Sequence, residues 1–89
     1  MVDVREDWEL QQLRVPEALH IPLMELPARV QELPKDRTLV FLCKSGGRSH
    51  HAARMLQAAG YPDVLNLAGG ILAWHREGLA TESGTGETQ

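Results

Sequence analysis

One stretch of the 89-residue chain sets reactive residue types at close spacing: Cys43-Lys44-Ser45-Gly46-Gly47-Arg48-Ser49. It contains the chain's single cysteine, followed by two cations with a glycine pair between them. An ionised thiol is a strong nucleophile. Glycines at 46 and 47 predict a backbone that curls with positive φ, turning successive N–H groups toward one centre. A helix starting at Arg48 or Ser49 adds free N–H groups and the positive end of its dipole. The product is an anion cradle with sulfur at its base. A free thiol titrates near about 8.5, and a helix N-terminus with cationic neighbours lowers that value. Lys44 and Arg48 are expected to add to the effect, leaving Cys43 largely thiolate near neutral pH. A lone cysteine at a strand end is by default a small buried hydrophobe. That default does not call for a Gly-Gly loop, a flanking Lys and Arg, and a helix start behind it. A nucleotide-binding P-loop is not expected, because no Gly-Lys-Ser/Thr ending is present.

Other reactive types offer less. His50 and His51 open the helix behind the loop; adjacent helical side chains point about 100° apart, so at most one faces Cys43. Solvent exposure is the expected state of both. His20 falls on a short extended piece, where packing or solvation is the default. The four histidines and Cys43 show no metal-ligand spacing, so no metal is expected. Trp8 and Trp74 are read as core residues, and Asp3 as structural, holding a helix start or an arginine.

The elements that must position the loop follow from periodicity. Thr38-Leu39-Val40-Phe41-Leu42 is an unbroken apolar run of strand length that leads into Cys43, as in the buried centre of a parallel sheet. Ser49 to Ala59 has a helical stripe of Ala52, Met55, Leu56 and Ala59, with Gly60 placed to end it. Met1 to Arg5 reads as a strand end. Asp7 is the expected cap of a helix over Trp8 to Leu13, with Trp8 and Leu10 or Leu13 facing inward. Ala18 to Pro22 is a short extended piece. Glu25 to Leu33 reads as a helix with Pro27 in its first turn, presenting Leu26, Val30 and Leu33. Val64 to Leu67 reads as a second buried strand. Gly69-Gly70 then turns the chain into a last helix, Ile71 to Glu77, stopped by Gly78. Strands alternate with helices, which predicts an α/β fold with a parallel sheet covered on both faces. Residues 80–89 are rich in Ser, Thr, Gly and Glu and are expected to form a disordered tail.

Composition limits the function classes. The chain is 43% hydrophobic and 24% charged, ordinary for one soluble domain. Its net charge of −3 argues against nucleic acid or anionic membrane as a partner. Between Asp36 and Asp63, however, there is no acidic residue, while Arg37, Lys44, Arg48 and Arg54 lie in that window. A local basic field in an acidic protein suits a small anionic ligand. A lone thiol fits a reducing compartment, and no run approaches membrane-spanning length. A cytoplasmic protein is expected.

The loop Cys43-Lys44-Ser45-Gly46-Gly47-Arg48-Ser49 resembles the active-site loop of single-domain rhodaneses, the thiosulfate and related sulfurtransferases. The resemblance extends along the chain. Asp3-Val4-Arg5 with Glu9 resembles that family's Asp-Val-Arg strand and downstream Glu. Pro16 to Leu23 is similar to its Pro-Gly-Ala-x-x-Ile-Pro segment. Leu67-Ala68-Gly69-Gly70 with Trp74 resembles its Gly-Gly-x-x-x-Trp element. Four residues separate Cys43 from Arg48, whereas cysteine phosphatases of the same general fold use five, so the loop resembles the sulfur-transferring class.

The resemblance implies a rhodanese-like three-layer α/β/α domain over residues 1–79, with about four strands in a mostly parallel sheet and no cofactor. It implies a double displacement: Cys43 takes sulfane sulfur from a small anionic donor such as thiosulfate, carries it as a persulfide held by the N–H groups of residues 44 to 48, and passes it to cyanide, a thiol or a thioredoxin-like protein. Cys43 is then the catalytic residue, and Lys44, Ser45, Gly46, Gly47, Arg48 and Ser49 bind substrate. Lys44 is expected to attract the donor. Arg48 either serves the anion or braces the loop against Asp3 or Glu9. The alternative function is a slow-turnover persulfide carrier or redox sensor using the same loop. The family's domain normally has a strand and helix ahead of Asp-Val-Arg, here at residue 3. The strand at Val64 to Leu67 is therefore expected to show an open edge, a site for a homodimer or another partner.

Overall fold

The structure, a computed structural model, describes residues 1–82. Its elements are β1 (Val2–Asp3), α1 (Asp7–Gln12), β2 (Leu19–His20), α2 (Leu26–Arg29), β3 (Leu39–Leu42), α3 (Gly47–Ala58), β4 (Val64–Asn66) and α4 (Gly70–Arg76). The four strands form one parallel sheet in the order β2-β1-β3-β4. The α/β class, the parallel sheet and the strand count agree with the expectation from sequence.

β3 is central, and its pleat sends alternate side chains to opposite faces. Leu39, Phe41 and Cys43 join the larger core, with Val2, Val4, Ile21, Leu26, Leu33, Ala52, Ala53, Leu56, Tyr61 and Val64. Leu42 joins the smaller one with Val15 and Ile71, against which Leu13, Leu67 and Trp74 pack. α3 and α2 therefore cover one face, and α4 with the chain around Leu13 and Val15 covers the other. Cys43 is on the α3 face because it is two residues beyond Phe41.

Several elements differ from the sequence reading. α1 is capped at Glu6, not Asp7. The Glu6 N–H donates to the Glu9 carboxylate at 2.8 Å, and this reciprocal start sets the helix phase. Glu9 is therefore turned inward, and Trp8, expected in the core, is 62% exposed. The single helix expected over Glu25 to Leu33 is one α turn between two 3₁₀ turns, Leu23–Glu25 and Val30–Glu32. Leu26 and Leu33 are still buried, as their spacing required, and Val30 is half-buried. On α3, Ala53 takes the buried place expected of Ala59. β4 is not buried on both faces: it forms one sheet edge, and Leu65 is 54% exposed while Val64 is buried.

The tail expected over residues 80–89 falls mostly outside the described residues. Within its first three, the Ala80 carbonyl accepts from Trp74 Nε1 at 2.8 Å, and Glu82 pairs with Arg14 at 2.7 Å. Among the described residues no helix is long and apolar enough to cross a membrane.

Candidate functional site: the Cys43 loop

The loop begins where β3 ends, at the carboxyl edge of the sheet, the usual ligand side of open parallel sheets. Two segments fix its shape. α4 packs its start against the loop backbone: the Ile71 N–H donates to the Cys43 carbonyl at 2.8 Å and the Leu72 N–H to the Lys44 carbonyl at 3.2 Å. This approach needs Gly70. A Cβ there would lie 2.4 Å from both carbonyl oxygens, and Gly70 has φ +59°. On the other side the loop turns at Gly46, with φ +110°, into α3. Gly47, expected to share the curl, is instead the first helical residue and has an ordinary φ. Only Gly46 must be glycine for the turn, because Gly47 is already inside the helix.

Cys43 is 1% exposed. Its sulfur accepts the Gly46 N–H at 3.0 Å and faces the Ser49 hydroxyl at 3.4 Å. The N–H groups of Gly47, Arg48 and Ser49 precede the first helical hydrogen bond, from the His50 N–H to the Gly46 carbonyl, and so have no partner within the helix. Burial pushes the thiol pKa up. The Ser49 hydroxyl and the N–H groups of Ser49, Gly46 and Ser45 outweigh burial and bring it below its ordinary value. The lowering anticipated from cations therefore has another main source, hydrogen bonds aimed at sulfur.

Arg48 shows why. Its guanidinium grips Glu9 with two hydrogen bonds, of 2.6 and 2.8 Å. Of the two roles expected for Arg48, the structure shows the brace: its charge ties the loop to Glu9 of α1. The Arg48 hydrogen bond, with lesser help from the Glu6 N–H and Arg5, holds the Glu9 carboxyl at about 2 against the cost of burial. Asp3 pairs with Arg5 instead, at 2.8 Å, and Arg5 Nη2 also donates to the Leu13 carbonyl at 2.8 Å. This buried pair ties the end of β1 to the end of α1, so the Glu9 brace stands on a fixed base. Lys44 is exposed and forms no ion pair among the described residues. It is the loop's free cation. Ser45 is exposed, and so are His50 and His51.

Beside the loop, on the α1–α4 side, lies an open groove of about 150 Å³ lined mainly by apolar surface, with Trp8, Leu13, Ile71 and Leu72 along it and Lys44 at its rim. Trp8 thus forms a wall next to the site, which its apolar character alone did not reveal. No cluster of His, Cys, Asp and Glu suited to a metal occurs among the described residues. One residue of the site was missed in the sequence. Asn66, the last residue of β4, accepts the Ser49 hydroxyl at Oδ1, and its Nδ2 donates to the Gly46 carbonyl at 3.3 Å. The available signal was a polar residue between Leu65 and Leu67, at the same sheet end as Cys43.

Known proteins resemble this chain in sequence and fold. The model of the rhodanese-like domain matches residues 1–77. A sulfurtransferase of Allochromatium vinosum is 48% identical over 79 residues, covering 89% of this chain and 74% of that protein. The putative sulfurtransferase YtwF of Bacillus subtilis is 39% identical over 77 residues, covering 86% and 74%. The crystal structure of a rhodanese-related protein from Thermoplasma volcanium superposes with a TM-score of 0.85 at 31% identity, covering 92% of this chain and 82% of that one. Fold, matched family model and relatives agree: the chain belongs to the rhodanese family, whose chemistry is sulfur transfer.

Proposed function

We propose that the protein is a sulfurtransferase in which Cys43 takes the outer sulfur of a small anionic donor of the thiosulfate type and hands it to a thiol. The observation that carries this reading is the Cys43 sulfur itself, set 3.0 Å from the Gly46 N–H at the mouth of a helix whose first N–H groups have no helical partner.

In the first step the Cys43 thiolate attacks the sulfane sulfur. A new S–S bond forms, the donor's S–S bond breaks, and sulfite leaves with the electron pair. The terminal sulfur of the Cys43 persulfide is anionic and lies beyond Sγ, toward the N–H groups of α3's first turn. In the second step an acceptor thiolate, or cyanide in an assay, attacks that terminal sulfur and Cys43 leaves as thiolate. Protons balance without a dedicated acid, because donor, sulfite and both cysteine forms are anions stabilised by backbone dipoles.

Division of labour follows from the charges. Arg48 is neutralised by Glu9, so Lys44 supplies the attraction for the donor. The groove between Trp8 and Leu72 leads to the loop and suits the non-reacting part of a protein thiol acceptor. The burial of Cys43 suits a small donor. A reducing, cytoplasmic setting suits the lone thiol.

Steady-state kinetics test the proposal. With thiosulfate and cyanide varied together, a double displacement gives parallel double-reciprocal lines. Intersecting lines would require both substrates bound at once and would remove the persulfide step. Retention of a full sulfur atom on the protein without turnover would make it a carrier.

A further inference from the structure

The Ser49 hydroxyl is fully buried and carries one proton, yet three acceptors face it: the Cys43 sulfur at 3.4 Å, the Gly46 carbonyl at 3.3 Å and Asn66 Oδ1. Burial denies it water. The Gly46 carbonyl is already served by the His50 N–H at 3.0 Å and by Asn66 Nδ2 at 3.3 Å. The contest is therefore between the Asn66 oxygen and the sulfur.

We propose that Asn66 is a positioning residue that competes with the Cys43 sulfur for the Ser49 proton, holding the free thiolate back and favouring the sulfur-loaded form. With Cys43 as a neutral thiol, one chain is satisfied throughout: S–H to Ser49 Oγ, and Ser49 O–H to Asn66 Oδ1. With Cys43 as thiolate, the Ser49 proton is drawn to sulfur and leaves two acceptors, Ser49 Oγ and Asn66 Oδ1, facing each other. With Cys43 as persulfide, Sγ is neutral again and the negative charge sits on the terminal sulfur, so the Ser49 proton returns to Asn66. Asn66 thus keeps the Ser49 proton in the neutral-thiol and sulfur-loaded states and loses it only in the thiolate that attacks the donor and leaves in the second step. Raising the energy of that leaving group slows sulfur release.

The ionisable groups around Cys43 leave room for this control. β4 contributes none, since it reads Val64-Leu65-Asn66. Across the sheet, Asp3 and Arg5 of the β1 end pair with each other. From α1, Glu9 faces Arg48 of α3, with Glu6 nearby. Lys44, His50 and His51 are exposed. On α4, His75 and Arg76 are exposed in the last turn, away from the loop. The Ser49 hydroxyl is the largest single stabiliser of the thiolate, so whatever competes for its proton acts directly on Cys43.

The inference rests on Cys43 as the sulfur-accepting thiol, but its test reads ionisation alone and involves no sulfur donor. The pH dependence of Cys43 alkylation by iodoacetamide is measured for the full chain, Asn66→Leu, Ser49→Ala and the double variant. The expectation is a downward shift of about one pH unit in Asn66→Leu, a tenfold rise in the thiolate-to-thiol ratio. Ser49→Ala shifts the profile upward, and adding Asn66→Leu in that background changes nothing further. Asn66→Ala, a smaller change, repeats the downward shift if Asn66→Leu disturbs folding. An upward shift in the Asn66 variants would make the amide a donor to Ser49 and overturn the proposal. So would no shift, or a shift of equal size without Ser49.

Discussion

On the α3 side of the Cys43 loop, the sulfur, the Ser49 hydroxyl, the half-buried Asn66 amide and the Gly46 N–H and carbonyl close on one another beside the larger core. On the α1–α4 side the same loop is held by a charge pair, Arg48 with Glu9, and borders an open groove with a 62% exposed tryptophan. One flank is mostly buried and consists of neutral hydrogen bonds; the other is ionic, apolar and reachable. Hydrogen bonds to a buried atom set its acidity strongly, because no water competes. An exposed apolar wall beside a free Lys44 has no such hold on sulfur, but it meets whatever approaches. The chemistry of Cys43 thus belongs to α3 and β4, and its access to α1 and α4.

Breaking the seam where the two flanks meet gives the largest expected effect. Gly70→Ala forces a methyl to within 2.4 Å of the Cys43 and Lys44 carbonyls at a positive φ, and is expected to cost about 3 kcal/mol of stability. Urea unfolding measures this.

The ionic brace comes next. Glu9, held at about 2 against an ordinary 4.5, contributes stability that is complete above the ordinary value and is lost as pH falls from there toward 2. Glu9→Gln is expected to lower stability near neutral pH by about 2–3 kcal/mol. The difference from the unsubstituted protein should close as pH falls through that window. Urea midpoints measured across the acid range check it, and a gap independent of pH would mean that the brace stabilises by packing alone.

Trp8→Ala should change stability by less than about 0.5 kcal/mol, as for a surface position. It should slow transfer to a protein thiol several-fold while leaving transfer to cyanide unchanged. A loss with both acceptors would place Trp8 in the chemistry and blur the contrast between flanks. The smallest effect is expected at Gly47, where an added Cβ meets nothing within 4 Å and φ is ordinary. Gly47→Ala is expected to stabilise the protein by about 0.5–1 kcal/mol through helix propensity.

Much of this was legible in the residues. The apolar run through Phe41 into Cys43, and the glycine turn behind it, located the loop, because a buried strand and a helix start leave strong local signatures. The phase of α1 was not legible. Trp8 is the more apolar neighbour, but the inward residue is decided by Arg48, 39 positions from Glu9, and no local pattern carries that distance. Asn66 was hidden for a similar reason: its partners, Gly46 and Ser49, come from another segment, and only the parallel register of β3 with β4 brings them together. The edge position of β4 was anticipated, whereas the exposure of Leu65 was obscured by the buried look of Val64-Leu65-Asn66-Leu67.

Intact-protein mass spectrometry shows whether Cys43 itself holds the sulfur in transit. After incubation with thiosulfate, the protein should gain the mass of one sulfur atom and lose it when cyanide is added, with an equal amount of thiocyanate formed. Cys43→Ser should show neither change. Thiocyanate formation by Cys43→Ser at the normal rate, or turnover by the unsubstituted protein with no sulfur ever found on it, would mean that Cys43 does not carry the sulfur.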